Sequence, residues 1–155
     1  MDPYFLPILI SSSIVVLLNT FLSLPIVGFP MISYIVGGVV AVMLFRSDKI
    51  KATSDEFYLV KVWDAAILGI ASGVIVGSVL TFIMVLNLQN PEAQQIIVDA
   101  INKQMKMTGN IKLDFLDQLG PSFYVVFGIV TIILTSAFSL FGSVISLAFF
   151  NKAKK

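Results

Sequence analysis

Four apolar stretches, at about residues 4–24, 26–45, 63–86 and 123–150, dominate this chain of 155 residues. A bilayer core is about 30 Å thick, and a helix needs roughly 20 apolar residues to cross it. Inside hydrocarbon every backbone amide must be satisfied within its own segment, and for runs of this length the helix does that. With 57% hydrophobic and only 12% charged residues, the composition is too apolar for an ordinary soluble domain. The expected fold is therefore all-α: one polytopic membrane domain over 1–155 with four transmembrane helices. Between the first two runs the only punctuation is Pro25, Gly28 and Pro30, which predicts a closely spaced hairpin. The alternative is a re-entrant pair that dips into the membrane without crossing.

Asp2 stands where a signal peptide carries Lys or Arg, so the first helix is expected to persist. Basic residues set the orientation. Arg46, Lys49, Lys51 and Lys61 crowd the connection between the second and third runs, and Lys152, Lys154 and Lys155 form the tail, whereas Lys103, Lys106 and Lys112 are spread through the third connection. The positive-inside rule places both termini and the central connection in the cytoplasm. The expected location is a bacterial inner membrane. Net charge is +1, too little to recruit nucleic acid, so lipids and other membrane proteins are the expected partners.

The outer connection, about 87–122, has a helical pattern of its own. Asn90 suits an N-cap, Pro91 the first helical position and Glu92 the positive end of the dipole. Ile97, Ile101 and Met105 then recur every fourth residue, which predicts an amphipathic helix. Its apolar stripe caps the bundle, lies on the lipid surface, or docks a periplasmic or extracellular partner. Phe115, Leu116 and Leu119 form a second short apolar turn, and Gly120-Pro121 is expected to stop the chain before the last span.

Small residues make the strongest pattern. Ala65, Gly69, Gly73, Gly77 and Thr81 occupy every fourth position of the third run; Ser33, Gly37 and Ala41 repeat the spacing in the second; and Thr131, Thr135, Ser139 and Ser143, with Gly142 and Ser146 beside them, do so in the fourth. At 3.6 residues per turn each set stays near one face, where another helix can approach until the backbones touch. Packing within the chain, self-association and packing on a foreign helix all need such a face. The hydroxyls of the fourth run either bond to their own turn or line an aqueous path.

The chain has no Cys and no His, which removes disulfides, thiol chemistry and the commonest metal and proton-relay ligand. No Asp, Glu, Lys or Arg sits deep within a span, which argues against a proton-coupled pump. Asn19 is the carboxamide most embedded in apolar sequence, and it predicts an interhelical hydrogen bond or a ligand contact. Asp64 is expected to act first as a charge at the positive end of its helix. Neither G-x-S-x-G, H-E-x-x-H, nor a Walker lysine motif occurs, and Gly69, Gly73 and Gly77 fall inside an apolar helix rather than after a strand. Asp48, Asp55, Glu56 and Asp64 are interleaved with Lys and Arg as in a solvated connection. No enzyme and no cofactor is expected; an interfacial lipid-modifying enzyme using Asp48 or Asp64 stands last.

Residues 34–39 (Tyr-Ile-Val-Gly-Gly-Val), 66–77 (Ala-Ile-Leu-Gly-Ile-Ala-Ser-Gly-Val-Ile-Val-Gly), the Asn90-Pro91-Glu92 helix start and the 148–152 ending (Ala-Phe-Phe-Asn-Lys) together resemble uncharacterised four-span bacterial membrane proteins of the domain-of-unknown-function type. That resemblance implies a fold and no functional residue. The expectation is a structural or accessory subunit of a membrane assembly, a homo-oligomer or part of a larger complex, associating through small-residue faces. The alternative is a small channel or facilitator for a neutral or lipidic solute, lined by Asn19, Ser139 and Ser143.

Overall fold

A computed structural model describes residues 2–21, 29–54, 58–88, 90–92, 95, 99 and 120–151. Its four long helices are α1 (Phe5–Phe21), α2 (Phe29–Thr53), α3 (Val62–Leu88) and α4 (Gly120–Phe150). At about 1.5 Å per residue, α2, α3 and α4 are about 37, 40 and 46 Å long, whereas α1 reaches about 25 Å. Three stretches, Pro30–Thr53, Val62–Asn87 and Tyr124–Phe150, are long and apolar enough to cross a membrane. The rest of the chain buries only 33%, 33% and 22% of their most apolar portions, so most of that surface is left for another apolar medium.

Two helix ends differ from the sequence expectation. The apolar pattern ends the second run at about residue 45 and places Arg46, Lys49 and Lys51 in a connection; α2 instead continues to Thr53. Residues 46–53 contain neither Gly nor Pro, so nothing interrupts the hydrogen-bond ladder, and the cations fall at the negative end of the helix dipole. The helix stops at Ser54, whose φ of 55° takes the left-handed conformation that closes many helices. At the other correction, Gly120-Pro121 does not halt the chain ahead of the last span but opens α4. Proline's missing N–H costs nothing there, because first-turn amides have no intrahelical acceptor. Pro7 is accommodated for the same reason early in α1.

The bundle is assembled with its small residues inside and its large ones outside. Ser11, Ser12, Ser33, Ser72, Thr135, Ser139, Ser143 and Ser146 are all buried, while Ile32, Phe82, Val125, Ile133 and Phe141 are among the large apolar side chains facing out. α4 packs most extensively on α3 and next on α2, and α1 packs on α2 and α3. Gly69, Gly73 and Gly77 lie on α4: a Cβ at Gly69 would stand 2.7 Å from the Leu140 Cα, one at Gly77 would stand 2.7 Å from the Ile132 Cα, and one at Gly73 would strike the Ser136 main chain. α2 meets α4 equally closely, because a Cβ on Gly38 would run into the Ser139 carbonyl and one on Gly142 into that of Ile35.

Larger side chains gather at one end. Ala41, Val42, Phe45, Val60, Ala65, Leu68 and Leu147 form the hydrophobic cluster, with Tyr4, Ile8, Tyr58 and Phe150 packed against it. This is the end that carries Arg46, Lys49, Lys51 and Lys61.

Substituting Gly73→Val should destabilise the bundle by about 1–3 kcal/mol through overpacking, whereas Phe82→Ala, on the outer surface, should stay within roughly 0.5 kcal/mol. Reversible unfolding of both variants in mixed micelles checks this; a Gly73→Val protein as stable as the parent would contradict the close approach.

Candidate functional site

The interior polar groups are few, and most bind main chain. Asn19, in the last turns of α1, donates from Nδ2 to the Val15 carbonyl (2.9 Å) and across to the Ser33 Oγ of α2 (2.7 Å). Ser33 in turn donates to the Pro30 carbonyl at 2.7 Å. Asn19 therefore ties α1 to α2 through a donor that hydrocarbon could not solvate. Further along α1, Ser11 and Ser72 of α3 are 3.1 Å apart, and the Ser11 hydroxyl also reaches the Ile8 carbonyl at 3.1 Å. When the Ser11 proton goes to Ile8, Ser72 becomes the donor across the helices.

On α4, Thr135 donates to the Gly73 carbonyl at 2.8 Å or to Thr131 of its own helix at 2.9 Å, sharing one proton between them. Ser143 donates to the Gly38 carbonyl at 3.1 Å, and Ser146 donates to Ser143 at 2.6 Å. The glycines that allow close approach thus also expose carbonyls that the hydroxyls of the neighbouring helix reach. Ser136 and Ser139 have buried hydroxyl oxygens with no partner among the described residues. Ser139 lines a crevice at the bundle centre with Val15, Tyr34, Gly37, Ser72 and Thr135, too tight for a water-sized sphere.

The small positions singled out in the sequence therefore fall on three sides of one interior. Ala65 and Ala41 belong to the hydrophobic cluster at the basic end; Gly37 faces the Val15 side chain; Gly69, Gly73 and Gly77 face α4; and Ser33, Thr135, Ser139 and Ser143 are buried. Thr81 lies against Gly128. Sequence reasoning passed over Ser11, Ser12, Ser72, Gly38 and Ser136. The Ser11-Ser12-Ser13 triplet inside an apolar run was the available signal for the first two. Ile97, Ile101 and Met105, the candidate docking stripe, lie outside the described residues, as do Phe115, Leu116 and Leu119. Of that connection, the Asn90 carboxamide oxygen accepts from the Glu92 N–H at 3.0 Å, as an N-cap does.

The basic end is a second concentration of polar contacts. Tyr4 stacks on Phe45, with ring centres 5.0 Å apart and planes 8° from parallel, and donates its hydroxyl to Asp64 Oδ1 at 2.8 Å. Asp64 sits in the first turn of α3, so this contact pins the chain before α1 to α3. Arg46 Nε donates to the Tyr58 carbonyl at 3.2 Å, and Asn151 Nδ2 donates to that of Val60 at 3.1 Å. Both bonds hold the segment before α3 against the ends of α2 and α4. Among the described residues no three His, Cys, Asp or Glu side chains gather as a metal site requires.

The Asp64 carboxylate, first by accepting the hydrogen bond and then with burial and its charge, holds the Tyr4 phenol above the ordinary range. Burial, followed by the Asp64 charge, raises Tyr58 as well. Comparison with protein-family models, with curated proteins and with solved structures finds no match to this chain.

Because the folded chain keeps Tyr4 protonated above its unfolded value, that contribution to stability is complete below about pH 10 and is lost as pH rises through the raised folded value. Tyr4→Phe should cost about 1 kcal/mol or less near neutrality and flatten part of the alkaline fall. Thermal unfolding in detergent between neutral pH and strongly alkaline pH checks this; identical alkaline profiles for parent and variant would contradict it.

Proposed function

We propose that this chain is a four-span protein of a bacterial inner membrane, with both termini and the α2–α3 connection in the cytoplasm. In that setting it serves as a structural or accessory subunit of a homo-oligomer or a larger membrane complex. The single observation that carries the reading is the inverted build: glycines and hydroxyls meet inside, and large apolar side chains face outward. Water would penalise such a surface heavily, whereas lipid tails or the apolar face of a partner would accept it. Since α3 and α4 already occupy one another's small faces, the outward apolar rows of the four helices are the surfaces left for association. The shorter α1, within the apolar run of about 4–24, is counted as the fourth span, and the resemblance to uncharacterised four-span bacterial proteins belongs to the same reading.

A second reading, a small channel or facilitator for a neutral or lipidic solute, draws on the central crevice and its Ser139 hydroxyl, which has no partner among the described residues. It ranks lower because Asn19 and Ser143 already bond across helices and the crevice does not admit water.

Affinity purification from gentle detergent should recover the chain in a discrete assembly with constant stoichiometry, identified by mass spectrometry of the co-purifying chains. A monodisperse monomer in every mild detergent tried would overturn the accessory role. Solute flux through reconstituted vesicles that disappears with Ser139→Ala would move the facilitator reading into first place.

A further inference from the structure

At the basic end α2 and α4 leave a groove of about 280 Å³, lined by Met43, Arg46, Ser47, Ile50, Lys51 and Phe150. Its chemistry changes along its length. α2 runs toward the basic end, so Met43 lies deepest, Arg46 and Ser47 lie one turn further out, and Lys51 a turn beyond those. At about 1.5 Å per residue the climb from Met43 to Lys51 is about 12 Å. The groove passes from the Met43 thioether, through the level of the Ser47 hydroxyl and the Arg46 guanidinium with the Phe150 ring beside it, to the Lys51 ammonium over that distance. This is the sequence of environments that a phospholipid presents between the start of its acyl chains and its phosphate.

Arg46 is already oriented for such a ligand. Its Nε donates to the Tyr58 carbonyl at 3.2 Å and its guanidinium carbon stands 5.9 Å from the centre of the Phe150 ring. Held on those two sides, the guanidinium keeps both Nη groups without a protein acceptor among the described residues, and among those residues no carboxylate lines the groove. Lys49, on a different face, rests its ammonium 5.5 Å from the centre of the Phe45 ring and takes no part in the lining. Two cations and one hydroxyl beside an apolar floor, with no counter-charge among the described lining residues, complement an anionic headgroup rather than a zwitterionic one.

We propose that this groove is a binding site for an anionic membrane phospholipid, with the phosphate between Arg46, Ser47 and Lys51 and the upper part of an acyl chain along Met43 and Phe150. The proposal rests on the membrane reading above and adds to it a named lipid class and residues. The full chain is purified in a non-ionic detergent, incubated with equal amounts of phosphatidylglycerol and phosphatidylcholine, and its retained lipid is counted by native mass spectrometry. Phosphatidylglycerol should be retained preferentially, by about thirtyfold if each cation contributes about 1 kcal/mol. Lys51→Gln should remove several-fold of that preference, Arg46→Gln with Lys51→Gln should bring it to parity, and Lys49→Gln should leave it unchanged. Ser47→Trp, which fills the groove while keeping both cations, should also abolish retention and so tests the site without removing the Arg46 anchor.

Equal retention of the two lipids by the parent chain would overturn the proposal, as would a preference unaffected by Lys51→Gln and Ser47→Trp. Displacement of the lipid by inorganic phosphate at low millimolar concentration would assign the groove to free phosphate instead and overturn the lipid source. Carbonate washing of the same membranes separates the two levels of the argument. Release of the chain overturns the membrane reading, whereas lipid parity with the chain retained in the membrane overturns the headgroup site alone.

Discussion

Where α3 crosses α4, main chain meets main chain. Gly69, Gly73 and Gly77 bring one helix down onto the Cα atoms of Leu140, Ser136 and Ile132, and at that spacing dispersion acts over the whole crossing. Inside lipid, apolar side chains gain little by leaving hydrocarbon for one another, so close fit and hydrogen bonding must hold helices together. The glycines supply the fit. Gly73 also uncovers its own carbonyl to Thr135, as Gly38 of α2 does to Ser143. A larger residue at Gly69 or Gly77 would remove the approach, and one at Gly73 the approach and the hydrogen bond together.

That constraint grades the molecule from the centre to one end. Mid-bundle, the α3–α4 and α2–α4 contacts are made largely by Ser, Thr and Gly, with Val15 and Val76 as the buried apolar side chains beside them. Towards the basic end the helices are spaced by Phe45, Leu68, Leu147 and Tyr4, and the polar groups change from hydroxyls to Asp64, Arg46 and Asn151. A graded build of this kind suits a helix bundle whose middle lies in hydrocarbon and whose end lies among headgroups, where amphipathic rings and long cationic side chains keep one part dry and the other wet. Tyr4 does so here, its ring against the cluster and its hydroxyl on the Asp64 carboxylate, and the Arg46 guanidinium lies over the Phe150 ring while its Nε donates to the Tyr58 carbonyl.

Much of this could be read in the residues themselves. The apolar runs located the long helices because length and composition alone decide that question in lipid, and α3 departs from its expected bounds by only a residue or two. Helix ends were harder. The charges after Phe45 suggested a loop, but charge does not break a helix; only the Ser54 conformation does. Gly120-Pro121 contained a real signal whose sense depends on the side from which the helix is approached. The four-residue spacing in α3 marked a face without naming its neighbour, since self-association and packing within one chain use the same surface. Gly38 and Ser136 escaped notice because each belongs to a contact spread over two helices and lies one position off the four-residue pattern of its own helix. The groove beside Arg46 was invisible for a similar reason, since it needs Phe150 of α4 beside the end of α2.

The α3–α4 crossing can be tested directly because the chain contains no Cys. A Cβ on Gly128 would stand 3.9 Å from that of Thr81, within the range of about 3.5–4.5 Å that a disulfide spans. Thr81→Cys combined with Gly128→Cys, oxidised in native membranes, should give a crosslink within one chain, seen as a monomer whose mobility shifts on reduction. Exclusive formation of disulfide-linked dimers, or no crosslink at all, would contradict the account, because the helix lying against the α3 face would then belong to another molecule or be absent.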